Sequence, residues 1–173
     1  MGIDVSLAAG VLAGMWAWFV GWAIALAVID IREHRLPNRM VATALVGCVV
    51  LTVSVAAATA DVGVLVRAAA ASGVAVAAFA VAHIAGGMGM GDVKYAAVTG
   101  WVLGTVGWWA VWWGHLLGFV LAGIVVVIGL LSRKMHTRSA IPFGPFMALG
   151  ACAVGLAGLV EVISVGARPV LAG

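Results

Sequence analysis

Two segments of this sequence carry the residue types that acid–base chemistry requires. The first is Asp30-Ile31-Arg32-Glu33-His34-Arg35-Leu36-Pro37-Asn38-Arg39. The second is Gly86-Gly87-Met88-Gly89-Met90-Gly91-Asp92-Val93-Lys94. Each offers one carboxylate at the edge of an apolar stretch, and two facing carboxylates suit hydrolysis. The ionised one draws a proton from water while the protonated one polarises the substrate carbonyl. A pair held close together cannot both ionise cheaply, so it shares one proton. A low-dielectric membrane edge strengthens that coupling.

Elements able to bring Asp30 and Asp92 together must be membrane helices. Of the 173 residues, 65% are apolar and 9% charged, and the mean hydropathy is +1.24. Soluble domains carry about 25% charged residues, so a soluble globular enzyme and a disordered chain are both excluded. Continuous apolar runs, without alternation, disfavour a transmembrane barrel. The net charge of +3 and pI near 9.4 reflect a few basic loop residues and do not imply nucleic-acid binding. Stretches free of Asp, Glu, Lys and Arg are Val5–Ile29, Met40–Ala60, Ala68–Gly91, Tyr95–Ser132 and Ser139–Val160. A crossing helix needs about 20 residues. Four runs are one span each, and the run of 38 residues from Tyr95 splits in two at a turn near Gly104–Gly107. The first of these two is short, so it begins within the glycine segment or stops before the far face. The expectation is an all-α integral membrane protein: one polytopic domain over 1–173, a six-helix bundle with a glycine-rich cytoplasmic-side loop before the fourth helix. The first run lacks a basic leader and exceeds a signal-peptide core in length, so it is read as a retained helix.

The basic residues set the orientation. One set of loops holds Arg32, Arg35, Arg39, Lys94, Arg133, Lys134 and Arg138, the other only Arg67 and Arg168. The positive-inside rule assigns the first set to the cytoplasm and both termini to the outside. Asp30 and Asp92 are separated by two crossings, so both fall on the cytoplasmic face. Trp16, Trp18 and Trp22, with Trp101, Trp108, Trp109, Trp112 and Trp113 around the outer hairpin, read in part as an interfacial belt.

Local chemistry refines these segments. Pro37 blocks continuation of a helix, and Asn38 is a suitable N-cap for the second helix. The glycines break the helix before Asp92, and irregular backbone at membrane depth requires protein or a water-filled cavity to cover it. Asp30 is harder to explain as a loop charge, because the macrodipole opposes a carboxylate at a helix C-terminus. Lys94 serves either Asp92, a lipid phosphate or the positive-inside bias. Glu33, His34 and His136 belong to solvated turns. His83 and His115 are core histidines, and Cys48 and Cys152 pack as small hydrophobes. Pro142 and Pro145 begin the last helix or help close the site. No zinc-ligand spacing and no nucleotide-binding pattern occurs.

At these residues the sequence resembles the type IV prepilin peptidases, membrane aspartyl proteases with a Gly-x-Gly-Asp signature. Asp30 with the Arg-rich turn and Pro37-Asn38 matches the first motif, Gly89-Met90-Gly91-Asp92-Val93-Lys94 the second, and Ile141-Pro142-Phe143-Gly144-Pro145-Phe146 a third recurring stretch. The resemblance implies an endopeptidase that removes leader peptides from prepilin-like precursors at the cytoplasmic membrane face of a prokaryote. By the match, Asp30 and Asp92 are the catalytic pair, with Gly89, Gly91, Lys94, Pro37 and Asn38 in support, and neither cofactor nor metal is implied. The partners are a prepilin-like precursor and the lipid bilayer, with no nucleic acid. Larger family members carry a paired-Cys extension and methylate the product. This sequence has no CxxC, so a peptidase-only form is expected. A small proton-coupled transporter or a non-catalytic membrane subunit stands as the alternative.

Overall fold

The structure is a computed structural model that describes residues 5–133 and 142–164. Lys134, His136, Arg138, Ile141 and Arg168, invoked above, lie outside the described residues. Six helices follow in order: α1 (Val5–Glu33), α2 (Asn38–Thr59), α3 (Gly63–Ile84), α4 (Met90–Val106), α5 (Trp108–Leu131) and α6 (Gly144–Ser164). Among the described residues there is no strand. In lipid every backbone polar group must be satisfied within the segment, which leaves the helix as the form for these apolar runs. Five of the six, all but α4, are long and apolar enough to cross a membrane. The chain is a multi-pass membrane protein.

The short connections have identifiable causes. His34 ends α1 in a left-handed conformation (φ 50°) while its N–H closes on the Asp30 carbonyl at 2.9 Å. Pro37 (φ −63°, ψ 124°) then caps α2. Asn38 is therefore not the N-cap expected from its residue type. It is the first helical residue, and its side chain makes no cap bond but accepts from Lys94 Nζ at 2.8 Å. The rigid φ of Pro37 sets the helix start, and its carbonyl receives the N–H groups of Met40 and Val41 at 3.0 and 3.1 Å. Gly107 (φ 157°) separates α4 from α5, within the turn expected from the long run. Residues 85–89 link α3 to α4.

The shortest helix holds the centre. α4 has 17 residues and packs against α2, α3, α5 and α6, while α1 lies between α2 and α6. Its closest neighbour is α3, reached through Gly100 and Gly104. A Cβ on Gly100 would stand 2.9 Å from the Ala71 carbonyl oxygen and 3.0 Å from Ser72 Cα. Small residues at this spacing let two backbones approach, which is how membrane helices gain packing where lipid gives no hydrophobic drive. The contact is reinforced by Ser72 Oγ donating to the Ala97 carbonyl at 2.9 Å.

Arg67 departs from the loop position expected of it. It lies inside α3, is buried, and donates from Nε to the Gly104 carbonyl at 2.8 Å and from Nη2 to the Thr105 carbonyl at 3.2 Å. These are carbonyls of the last turn of α4, which has no further helical donors for them. The tryptophans also divide. Trp108, Trp109, Trp112 and Trp113 are exposed at the start of α5, whereas Trp16 is buried edge-on to Phe19 and belongs to the core.

This packing sets a test. Gly100→Ala should lower thermal stability in detergent by roughly 1–3 kcal/mol, the usual cost of overpacking. Gly123→Ala, where an added Cβ meets nothing within 4 Å, should leave the melting temperature unchanged or slightly raised. Equal melting of the two variants would contradict the close α3–α4 contact.

Candidate active site

Asp30 stands in the last turn of α1 and is 5% exposed. Its burial there is unfavourable twice over, by desolvation and by the C-terminal dipole of its own helix. The opposing contribution comes from a distant part of the chain. The Gly144 N–H, at the head of α6, donates to Asp30 Oδ2 at 2.9 Å. A first-turn N–H has no acceptor within its own helix, so this bond satisfies both groups. A Cβ on residue 144 would lie 2.8 Å from the same oxygen, which explains glycine at that position.

Asp92 is placed by the opposite end of a helix. It occupies the first turn of α4, ahead of the apolar run that begins at Tyr95 and outside the five candidate spans. Gly89 is the N-cap, with extended backbone, and its N–H donates to Asp92 Oδ2 at 3.3 Å. This is the reciprocal half of a capping box. Burial pushes the Asp92 carboxyl up to about 6, and the nearby Asp30 charge adds to the rise. The Gly89 N–H holds it down in part. Asp30 and Asp92 thus feel one another electrostatically, as a proton-sharing pair must.

Both carboxylates line the same two adjoining pockets. The smaller, about 350 Å³, is polar and is walled by Asp30, His34, Arg35, Asn38, Asp92 and Lys94. The larger, about 640 Å³, keeps Asp30, His34 and Asp92 and adds an apolar wall of Met88, Phe119, Ala122, Val126, Pro142 and Phe143. Phe119 and Phe143 pack with tilted rings at 4.9 Å between centres, with Phe79 behind them at 5.5 and 6.1 Å. The glycine link is tethered by His83, whose Nδ1 lies 2.8 Å from the Met88 carbonyl and donates to it.

The supporting residues expected from the sequence gather here, each in a definite place. Lys94 and Asn38 join the start of α4 to the start of α2 through their hydrogen bond. Gly91 faces Leu36, whose Cβ would be 3.2 Å from an added Cβ, so the turn around Pro37 packs directly on α4. Glu33 is exposed and lines neither pocket. His115 is a satisfied interior residue, with Nδ1 2.8 Å from the Val111 carbonyl and Nε2 3.1 Å from Thr99 Oγ1. Cys48 and Cys152 are free thiols. Among the described residues no three His, Cys, Asp or Glu side chains are grouped to hold a metal ion.

Three contributors escaped sequence reasoning. His34 reads as a solvated turn residue yet walls both pockets. Phe119 sits within a uniformly apolar run and gives no signal. Gly144 lay inside the third stretch that carries the family resemblance, but nothing in the sequence pointed to its N–H as the partner of Asp30.

Comparison with known proteins identifies the family. The model of the type IV leader peptidase family matches residues 17–160, a range that contains Asp30, Asp92 and Gly144. The prepilin leader peptidase/N-methyltransferase of Stutzerimonas stutzeri is 28% identical over 166 residues, covering 84% of this chain. The chain spans 54% of that relative's length. No solved structure matches it significantly. With its family match covering both carboxylate motifs and most of its helices, the chain belongs to the type IV leader peptidase family.

Proposed function

We propose that this protein is a membrane-embedded aspartic endopeptidase that removes the leader peptide of type IV prepilin-like precursors at the cytoplasmic membrane face. The observation that carries the reading is that Asp30 and Asp92 line one cavity in a chain of this family. The peptide would lie across that cavity with the scissile bond over the two carboxylates. The ionised carboxylate accepts a proton from water as the hydroxyl oxygen bonds to the carbonyl carbon. The protonated one gives its proton to the carbonyl oxygen. On collapse the first returns a proton to the leaving nitrogen and the second recovers one from the tetrahedral oxygen. The pair ends with the single proton it began with, as in aspartic proteases generally. Gly89, Gly91, Pro37, Asn38 and Lys94 support the two segments that carry the pair. Peptidase chemistry is the whole of the proposal, and the methyl transfer in the relative's name is not extended to this chain.

Six crossings with both termini outside follow from the basic bias, with α4 enclosed by its neighbours as the fourth. A cysteine placed at position 35 should then label from the cytoplasm and one at 61 from outside; the reverse result would remove the cytoplasmic assignment.

The central test is co-expression with a candidate prepilin and a gel-shift assay for leader loss. Asp30→Asn and Asp92→Asn should each lower cleavage by at least the ~10²–10⁴-fold typical of lost acid–base groups. Because members of one catalytic unit are non-additive, the double variant should be no worse than either single. Glu33→Gln should keep most activity. Near-normal cleavage by either single Asn variant would sink the pair.

Asp92 also makes stability depend on pH. Its carboxyl titrates at about 6 in the fold, above its ordinary value of 3.8. The folded state therefore binds the proton more tightly than the unfolded one, and stability is lost as pH rises through 6. Asp92→Asn should be more stable than the parent at pH 7–8, with the gain vanishing near pH 4. A stability difference that stays flat across this range would contradict the raised titration.

A further inference from the structure

The two carboxylates are held in unequal surroundings. Asp30 is buried and receives a 2.9 Å hydrogen bond from the Gly144 N–H, at the head of a 21-residue helix. Asp92 is less buried, and its bond from the Gly89 N–H is longer, at 3.3 Å. A hydrogen bond donated to a carboxylate stabilises the ionised form, and a helix N-terminus does the same.

We propose that the Gly144 N–H keeps Asp30 as the ionised member of the pair, which makes Asp30 the base that takes the proton from water, Asp92 the acid that protonates the carbonyl oxygen, and Gly144 a positioning residue. The assignment rests on the peptidase reading above. Geometry fixes the identity of residue 144 as well as its donor, because an added Cβ would stand 2.8 Å from Asp30 Oδ2 and 3.3 Å from Cγ. The bond also resolves why a carboxylate is tolerated at the C-terminal end of α1. The positive end of α6 compensates the negative end of α1 at the same carboxyl group.

The other groups facing Asp30 do not replace this donor. From α4 come Asp92, whose charge opposes ionisation, and the Tyr95 phenol. His34 borders the carboxylate from its own segment, and Arg35 lines the smaller pocket with it. Lys94 is engaged with Asn38 Oδ1. The Gly144 N–H of α6 donates directly to the Asp30 carboxylate, so movement of the α6 start relative to α1 would alter the ionisation of Asp30 directly.

The test replaces the Gly144 amide by an ester, with glycolic acid at position 144, in the full-length protein. This removes the N–H and adds no side chain; the lost donor serves no helical bond because it lies in the first turn, while the Phe143 carbonyl, now an ester's, accepts the Phe146 and Met147 N–H groups more weakly. Leader cleavage should fall roughly 10- to 100-fold, in keeping with loss of a hydrogen bond to a charged group. The acid limb of the pH–rate profile should move to higher pH by about one unit. Gly144→Ala should move it in the same direction, while Gly123→Ala should match the parent. A substrate-free measurement runs in parallel. The protonated-carboxyl infrared band of Asp30, taken as the Asp92→Asn protein minus the Asp30→Asn/Asp92→Asn protein, should show the same shift in the ester form. A loss of rate with an unmoved acid limb and an unmoved band would reduce Gly144 to packing and overturn the proposal. So would an ester form indistinguishable from the parent. Failure of the unmodified protein to cut any prepilin counts against the peptidase reading alone, because the infrared titration still decides the Asp30–Gly144 pairing.

Discussion

The hydrogen bond from the Gly144 N–H to the Asp30 carboxylate joins the first helix to the last across 114 positions of sequence, and the arrangement of the site depends on it. A buried carboxylate needs a partner that offsets its lost hydration. A helix head needs an acceptor for an N–H that its own turn cannot satisfy. Each solves the other's problem only if α1 and α6 lie side by side in register. Glycine at 144 follows from the same contact, since a methyl group would intrude on the carboxylate. The site is thereby tied to the closure of the bundle, and Asp30 cannot be in place unless α6 is.

Asp92 reaches the same cavity by a different device. Its helix is the shortest and is surrounded by α2, α3, α5 and α6. Gly100 and Gly104 set its depth against α3, and Arg67 holds its last carbonyls. With its far end fixed in this way, the first turn and Asp92 are presented at the near end. The glycine link before it is held by the His83–Met88 bond. Thr52 adds a lateral tie by accepting from Trp101 Nε1 at 3.0 Å, which connects α4 to α2. Polar contacts of this kind sit at the helix interfaces, where packing and hydrogen bonding take over from hydrophobic drive.

The cavity around the pair is chemically two-sided. On one side stand Arg35, Lys94, Asn38 and His34, on the other the Phe119–Phe143 pair with Met88. An extended peptide that passes from water into an apolar segment meets matching surroundings on each side, with the carboxylates between. This two-sided lining is the feature that the function proposed for the chain would use.

Much of this was legible in the linear sequence because charge is so scarce in it. Every ionisable residue in an apolar chain has to be accounted for, so Asp30 and Asp92 identified themselves, and helix lengths followed from the uncharged runs. Pro37 and the glycines marked where helices stop, and Gly107 falls within the turn that the long run required. What the sequence could not supply was contact between segments far apart in the chain. Asn38 has the residue type of an N-cap, but the fixed φ of Pro37 moved the helix start and left Asn38 to meet Lys94. Arg67 borders an apolar run and so resembles a loop cation, yet α3 begins at Gly63 and buries it against α4. Gly144 belongs to a Pro/Gly-rich helix start in the sequence, and its N–H becomes the partner of Asp30 only when α6 lies against α1. Composition and the spacing of charges act locally, and they determined the helices and marked the two carboxylates. Which helix end faces which carboxylate is a property of packing at distances no sequence window spans, and only the tertiary structure decided it.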